Sequence, residues 1–321
     1  MDREEPLFYD EHFRQKRKHD KWEIVTAPHS FAPIADTHAH LDMLPDPGLS
    51  LARAGVHEVA FVETIVNPAE DDRTTFDELD GWLRDGELYV RKMGSLCCGQ
   101  APYRCPKVRI GYGVHPHDAK DYTDELEAAM EMRARSDGRI SAIGEIGLDY
   151  HYDLSARDEQ REAFRRQLSL AKRLGLPVLL HMRDAHDEGF AILEEEGFPE
   201  AGTLLHCYTL DGHELARWVE AGCYVAFGGA LTFKRSEEVR EAAKLVPLDR
   251  LLTETDAPYM TPEPLRGTAC GAEHVVFTAE RLAEVRGFTG DSAERRAFYQ
   301  QLYDNAIRLL DRPHVAVKEG E

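Results

Sequence analysis

The sequence alternates eight short apolar runs with longer amphipathic segments, and this alternation limits the fold more than any other feature. The runs are short and mostly apolar, which is typical of parallel strands covered on both faces. Between two of them, Phe164, Leu168 and Ala171 share one face of a predicted helix over 155–174. The pattern predicts an α/β fold with a parallel sheet. The eight runs are residues 32–36, 58–65, 110–114, 141–146, 178–181, 203–206, 224–227 and 251–254.

The number of units favours a closed barrel, although periodicity alone does not separate a barrel from an open doubly wound sheet. Eight β/α units in a chain of 321 residues fit a single (β/α)₈ TIM barrel, which commonly forms one domain of about 250 residues. We predict the barrel over 32–312, after an N-terminal extension at 1–31 and before a C-terminal tail at 313–321. An insertion at about 85–107 separates the second and third strands.

The chain is acidic, with 59 Asp and Glu against 39 Lys and Arg and a formal net charge of −20. Such a charge argues against a protein that grips long duplex DNA through its overall field. No apolar run reaches the roughly 18–20 residues of a membrane span, and the first residues lack the apolar stretch of a secretory signal. We therefore expect a cytoplasmic protein with no membrane contact and no obligate protein partner.

The six cysteines are too dilute for a disulfide framework. Free thiols in a reducing compartment are the favoured interpretation. Cys97, Cys98 and Cys105 lie close together in the predicted insertion, so a metal clasp is the alternative at that position.

Side chains that bind metals recur where the predicted strands end. In the extended segment 36–40, His38 and His40 point the same way, so both imidazoles can reach one ion. All strand ends of a barrel meet at one face, where barrel active sites lie. Six nitrogen and oxygen ligands exceed the four of a closed zinc site, which favours two ions that share a carboxylate. The candidate ligands are His38, His40, Glu145, His181 and His206, with a further carboxylate from the segment 254–256, which holds Glu254 and Asp256.

These motifs resemble the TatD family of metal-dependent hydrolases, within the wider amidohydrolase-like barrels. The resemblance spans about residues 33–311 and keeps the family order of motifs. It implies a hydrolase, specifically a nuclease, that cleaves phosphodiesters with two divalent metal cations. The matching stretches are 36–42, 113–117, 142–150, 177–185, 205–208, 232–234 and 252–259, followed by Arg266 and Gly267.

The resemblance also implies how the ligands divide. His38, His40 and Asp256 would hold one ion, His181 and His206 the other, and Glu145 would bridge them. Two such ions activate a water that attacks phosphorus in line. Asp256 and Glu145 are thus the predicted catalytic residues, with Asp256 as the proton acceptor or, alternatively, a ligand only. These ligands suit Mg²⁺, Mn²⁺ and Zn²⁺, so the metal stays open.

Candidates for contact with the substrate phosphate are His115, Arg183, Lys234 and Arg266, with a structural salt bridge as the alternative for each. The first hypothesis is a deoxyribonuclease that acts on single-stranded DNA or on DNA ends. The alternative is a two-metal hydrolase of a small phosphoester, lactone or amide. A non-catalytic binding barrel is disfavoured because all six predicted ligands are present.

Overall fold

An eight-stranded parallel sheet forms the centre of the molecule. The computed structural model describes residues 13–16, 21–70, 73–94 and 103–312. Within them, the strands of the sheet neighbour one another in chain order. They are β1 (Ile34–Ala39), β2 (Val59–Val66), β3 (Lys107–Tyr112), β4 (Ile140–Asp149), β5 (Val178–Arg183), β6 (Thr203–Leu205), β7 (Tyr224–Phe227) and β8 (Leu251–Thr253).

The last strand closes on the first. The Thr253 hydroxyl donates to the Ala35 carbonyl at 2.9 Å, and the Thr37 hydroxyl donates to the Thr253 carbonyl at 3.1 Å. Beyond the strand ends, the backbone N–H of His40 donates to the carbonyl of Ala257 at 2.7 Å. The sheet is therefore a closed (β/α)₈ barrel, as the count of strand-like runs predicts.

Helices surround the barrel and bury one face each. In the helix over 157–174, Phe164, Leu168 and Ala171 are fully buried, as their spacing predicts. That helix ends at Gly175, whose φ of 64° is left-handed and suits glycine. The helices are α1 (Pro47–Val56), α2 (Arg73–Gly94), α3 (Asp124–Ser136), α4 (Arg157–Leu174), α5 (His186–Glu196), α6 (Gly212–Glu220), α7 (Glu237–Leu245), α8 (Val275–Val285) and α9 (Ala293–Leu310).

The barrel interior is apolar towards the amino ends of the strands. Side chains from alternate strand positions, such as Phe61, Leu179 and Leu204, pack there with Leu309 and Leu310 of α9. This packing fills one end of the barrel with hydrocarbon. The buried histidines of the barrel lie towards the opposite end, where the strands finish, whereas Glu63, which pairs with Ser141, is buried within the strands.

Part of the predicted N-terminal extension is anchored to the barrel. Residues Arg14–Lys16 and Trp22–Ile24 pair as two short antiparallel strands. Phe13 is buried and packs edge-on against Phe277 of α8, with ring centroids 4.9 Å apart. The predicted tail at 313–321 lies outside the described residues.

The predicted insertion at about 85–107 begins within a helix, so its first part is not an irregular loop. Helix α2 continues to Gly94 because Val90 and Met93 lie at helical spacing and are buried against α1. Residues 95–102, with Cys97 and Cys98, lie outside the described part of the chain. The four described cysteines, Cys105, Cys207, Cys223 and Cys270, form no disulfides.

None of the helices within the described residues is long and apolar enough to cross a membrane.

Candidate metal centre

The structure brings all six predicted metal ligands together at the carboxyl ends of the strands. His38 lies within β1 and His40 follows it, while Glu145 lies in the middle of β4 and His181 in the second half of β5. His206 directly follows β6, and Asp256 follows β8 by three residues. The neighbouring Cys207 and Asp256 have φ values of 45° and 59°, left-handed conformations that non-glycine residues rarely adopt. Such strained backbone clusters at functional sites.

Glu145 is the centre of the cluster. Its Oε1 lies 2.6 Å from His181 Nδ1 and 2.8 Å from His206 Nε2, while its Oε2 lies 3.3 Å from His38 Nε2. Burial by itself raises the pKa of this carboxyl group. The surrounding imidazoles, led by His206 and His38, outweigh burial and hold the pKa well below its usual range. Glu145 is therefore an anion that faces two sets of histidines through its two oxygens.

A second carboxylate, Asp256, faces the pair formed by His38 and His40. Its Oδ1 lies 3.7 Å from His40 Nε2 and 3.9 Å from His38 Nε2. Burial raises the pKa of Asp256, but the nearby histidines, His40 first, lower it below its usual value. The Asp256 side chain is 16% exposed, against 5% for Glu145, so Asp256 is the more accessible of the two carboxylates.

Several buried polar atoms of this cluster lack a hydrogen-bond partner among the described residues. They include both ring nitrogens of His38, Nδ1 of His206 and Oε2 of Glu254. A buried polar atom left unpaired costs about 1–3 kcal/mol, so native structures rarely keep several together. Three overlapping groups, each made of three His and Glu residues, bring their ligand atoms together. Within each group the ligand atoms lie within 4.8 Å of one another. Nitrogen and oxygen atoms without hydrogen-bond partners are available as ligands, and these ligand types bind divalent cations.

Three buried acids beside the cluster have no predicted role in the sequence analysis. Asp149 contacts His181, Glu254 accepts the backbone N–H of Cys207 at 2.6 Å, and Asp36 accepts the Thr255 hydroxyl at 2.6 Å. A signal for two of them exists in the sequence. Alternate residues of a strand face the same side, so Asp149 follows Glu145 on one side of β4 and Asp36 precedes His38 on one side of β1.

His115 is the one predicted phosphate contact that joins the cluster. Its Nε2 lies 3.3 Å from His181 Nδ1 and 3.8 Å from Glu145 Oε1. Its Nδ1 accepts the backbone N–H of His117 at 3.2 Å, which turns Nε2 towards the other histidines. Burial lowers the pKa of His115 well below its usual value.

The three predicted cationic contacts lie on exposed surface at the rim. The guanidinium of Arg183 stacks over Tyr152 at 4.7 Å, and that of Arg266 stacks over Phe233 at 3.8 Å. Lys234 follows Phe233 in the chain and is exposed. Within the described residues, these three side chains make no ion pair, so their charges are not neutralised by neighbouring acids.

A closed (β/α)₈ barrel that gathers histidines and carboxylates at the carboxyl ends of its strands defines a class, the metal-dependent barrel hydrolases. Comparison with known proteins narrows the class. Residues 35–311 match the family model described as TatD related DNase. The chain belongs to the TatD family of metal-dependent hydrolases.

Individual relatives agree with this assignment. The chain is 33% identical over 283 residues to the uncharacterized metal-dependent hydrolase YcfH of Escherichia coli K12. This alignment covers 86% of this chain and 95% of that protein. It is 38% identical over 187 residues to the 3'-5' ssDNA/RNA exonuclease TatD of Pantoea vagans, covering 58% of this chain and 72% of that protein. The crystal structure of the TatD homologue YJJV from Escherichia coli K12 superposes with a TM-score of 0.72 at 26% identity, covering 88% of this chain and all of that one.

Proposed function

We propose that this protein is a two-metal nuclease that hydrolyses phosphodiester bonds of single-stranded DNA or of DNA ends. The observation that carries the proposal is the placement of Glu145, whose Oε2 faces His38 and whose Oε1 faces His181 and His206. One carboxylate between two histidine sets suits two cations that share a ligand. The relative from Pantoea vagans, named as an exonuclease on single-stranded DNA and RNA, supports the substrate class.

In this proposal His38, His40 and Asp256 would hold one cation, His181 and His206 would hold the other, and Glu145 would be the ligand shared by both. Bound divalent cations supply Lewis acidity, which neutralises charge on the phosphate and lowers the pKa of water. The donor set accepts Mg²⁺, Mn²⁺ or Zn²⁺.

Asp256 is the proposed proton acceptor. The low pKa of its carboxyl group keeps Asp256 ionised near neutral pH but also makes it a weak base, so a proton transfer to it would depend on water made more acidic by the bound cations. It is also more exposed than Glu145, so solvent that enters the barrel mouth reaches it first. Glu145, which is enclosed by imidazoles, is proposed to act as a metal ligand and not as a proton acceptor.

The rim residues are the proposed substrate contacts. His115 Nε2 and the unpaired charges of Arg183, Lys234 and Arg266 offer donors to a phosphate. Tyr152 beside Arg183 is 55% exposed, and aromatic faces of this kind stack on unpaired bases. A few local cations in a chain of net charge −20 suit a strand engaged at the mouth rather than a long duplex.

The net charge of −20 favours a second candidate function, the hydrolysis of a small phosphoester, lactone or amide. Such a substrate needs the same cations but no extended positive surface. Cytoplasmic localisation and the absence of an obligate protein partner stay predictions, which cell fractionation and pull-down from an extract would test.

A substrate panel separates these functions. The metal-free protein is reloaded with Mg²⁺, Mn²⁺ or Zn²⁺ and offered single-stranded DNA, single-stranded RNA, duplex DNA, a chromogenic phosphodiester, a lactone and an amide. We expect cleavage of single-stranded DNA that EDTA abolishes and that His38→Ala removes, while the exposed-site control Glu220→Gln keeps it. Turnover of a small ester or amide without any cleavage of nucleic acid would replace the nuclease by the second candidate.

A further inference from the structure

Asp149 holds two histidines from one side and two backbone groups from the other. Its carboxylate is fully buried. Oδ2 lies 2.9 Å from His117 Nε2 and 3.1 Å from His181 Nε2. Oδ1 accepts the backbone N–H groups of His151 and Tyr152, each at 2.9 Å. Each carboxylate oxygen of Asp149 thus faces two nitrogen atoms, two ring nitrogens at Oδ2 and two backbone nitrogens at Oδ1.

We propose that Asp149 is a positioning residue that fixes the ring orientation and tautomer of His181 for metal binding. The proposal rests on the proposed function, because it assigns to His181 the role of a metal ligand. An ionised carboxylate only accepts hydrogen bonds, so the Nε2 of His181 must carry the proton. The lone pair on Nδ1 is then the one directed at the metal centre, where Glu145 Oε1 lies 2.6 Å away.

The separation of 2.6 Å supports this orientation. Two acceptor atoms, a lone-pair nitrogen and a carboxylate oxygen, do not approach so closely unless a proton or a cation lies between them. With the Nε2 proton retained by Asp149, Nδ1 is the nitrogen that exchanges a proton for a cation. A carboxylate that holds the far nitrogen of a ligating histidine is a recurring feature of metal sites.

The backbone conformation of β4 allows both acids to contact His181. Glu145, Gly147 and Asp149 face one side of the strand, so the two acids reach His181 from its two ring nitrogens. Gly147 has a φ of 144°, and a Cβ at this position would overlap the carbonyl oxygen of His181. Glycine therefore lets β4 and β5 lie close enough for both contacts.

The same geometry dictates the effect of an amide in place of the acid. In Asp149→Asn, the two backbone N–H donors retain the amide oxygen at the Oδ1 position. The NH₂ group then faces His117 and His181 and requires an acceptor at Nε2. The proton of His181 is forced to Nδ1, where it blocks the metal-binding lone pair.

The test uses the full chain and measures ion binding rather than turnover. Equilibrium dialysis against Zn²⁺, with metal content read by mass spectrometry, gives the affinity of each bound equivalent. We expect Asp149→Asn to weaken one equivalent by about 10–100-fold and to leave the other within about 3-fold. Asp153→Asn is the matched control, since this acid in the loop that follows β4 is exposed and pairs with Arg157. Equal affinities in Asp149→Asn and wild type would overturn the proposal.

A second measurement does not depend on any variant. Nitrogen NMR of histidine-labelled, metal-free protein reports which ring nitrogen of His181 carries a directly bonded proton. The proposal requires a proton on Nε2 in wild type and none there in Asp149→Asn, whereas Asp153→Asn keeps the wild-type pattern. An unprotonated Nε2 in wild type overturns the proposal even if the variant does not fold. A wild-type protein that binds no divalent cation contradicts the two-metal function instead, and the two failures are thereby distinguished.

Discussion

Two buried glutamates, at different depths in the barrel, have opposite electrostatics. Glu145 at the carboxyl ends of the strands is surrounded by imidazoles, which hold its pKa well below the usual range. Glu63, on β2, is equally buried, but its main partner is the Ser141 hydroxyl at 2.6 Å. Burial raises the pKa of Glu63 to about 8, and its Oε2 has no hydrogen-bond partner among the described residues. Burial alone gives a neutral acid, whereas a histidine cluster gives an anion that binds cations.

The comparison separates the function of the barrel from its stability. The amino ends of the strands enclose apolar side chains such as Phe61 and Leu204, while the carboxyl ends enclose polar atoms, such as both ring nitrogens of His38, without hydrogen-bond partners in the described part of the chain. Barrel enzymes carry chemistry at the carboxyl ends and stability at the opposite face. We therefore expect changes at Glu145 to abolish activity and changes at Glu63 to alter stability.

The largest expected effect is on turnover. Glu145→Gln removes the anion shared by the two histidine sets, so kcat should fall at least about 10²–10³-fold, the loss of several kcal/mol of transition-state stabilisation. The assay is cleavage of single-stranded DNA at saturating Mn²⁺. The matched control, Glu63→Gln, should keep wild-type kcat. Activity retained in Glu145→Gln would remove the bridge from the mechanism.

The next effect is on stability, through the ring nitrogens of His38 and His206 that have no hydrogen-bond partner within the described ranges. A cation bound only to the folded state at 100 times its Kd raises the free energy of unfolding by about 3 kcal/mol. Urea unfolding with EDTA and with Zn²⁺ measures this gain. We expect the gain to shrink in His38→Ala and to persist in Glu220→Gln. Identical unfolding curves with and without ion would contradict a metal site in this cluster.

A smaller effect comes from the neutral acid. Between its usual pKa of 4.5 and its raised pKa of about 8, the folded protein keeps a proton on Glu63 that the unfolded chain releases. The free energy of unfolding should therefore fall as pH rises through this window. Glu63→Gln mimics the protonated acid, so we expect it to match wild type near pH 4.5 and to be more stable at pH 6 by about 2 kcal/mol.

The measurement for Glu63→Gln is urea unfolding at the two pH values, with the exposed Glu220→Gln as the control. A Glu63→Gln protein that is no more stable than wild type at pH 6 would show that Glu63 ionises freely in the fold.

The smallest effects belong to the rim. Single changes Arg183→Ala, Lys234→Ala and Arg266→Ala should each raise KM for single-stranded DNA about 3–10-fold, with kcat little changed. The increase should diminish at high salt because the contacts are exposed. Arg135→Ala on α3 is the control, since that side chain pairs with Glu131. Unchanged KM in all three would favour the small-substrate candidate.

The sequence predicts most of the barrel because its signals are local. The burial of Phe164 and Leu168 in α4 follows from helical periodicity alone, and the strand runs need only short apolar stretches. The boundary of α2 was missed because the glycines and prolines of 85–107 obscured a stripe that ends at Met93. That stripe is stabilised by α1, a contact that local pattern does not reveal.

By itself, the sequence determined the fold class and the six candidate ligands, because strand ends and metal-binding residue types are visible along the chain. Only the tertiary structure decided how these ligands face one another. It placed Glu145 between two histidine sets and Asp149 in contact with His181. It also made the Ser141 hydroxyl the main partner of Glu63. The same carboxyl group is an anion in one place and a neutral acid in another, since its pKa depends on neighbours brought close by barrel closure.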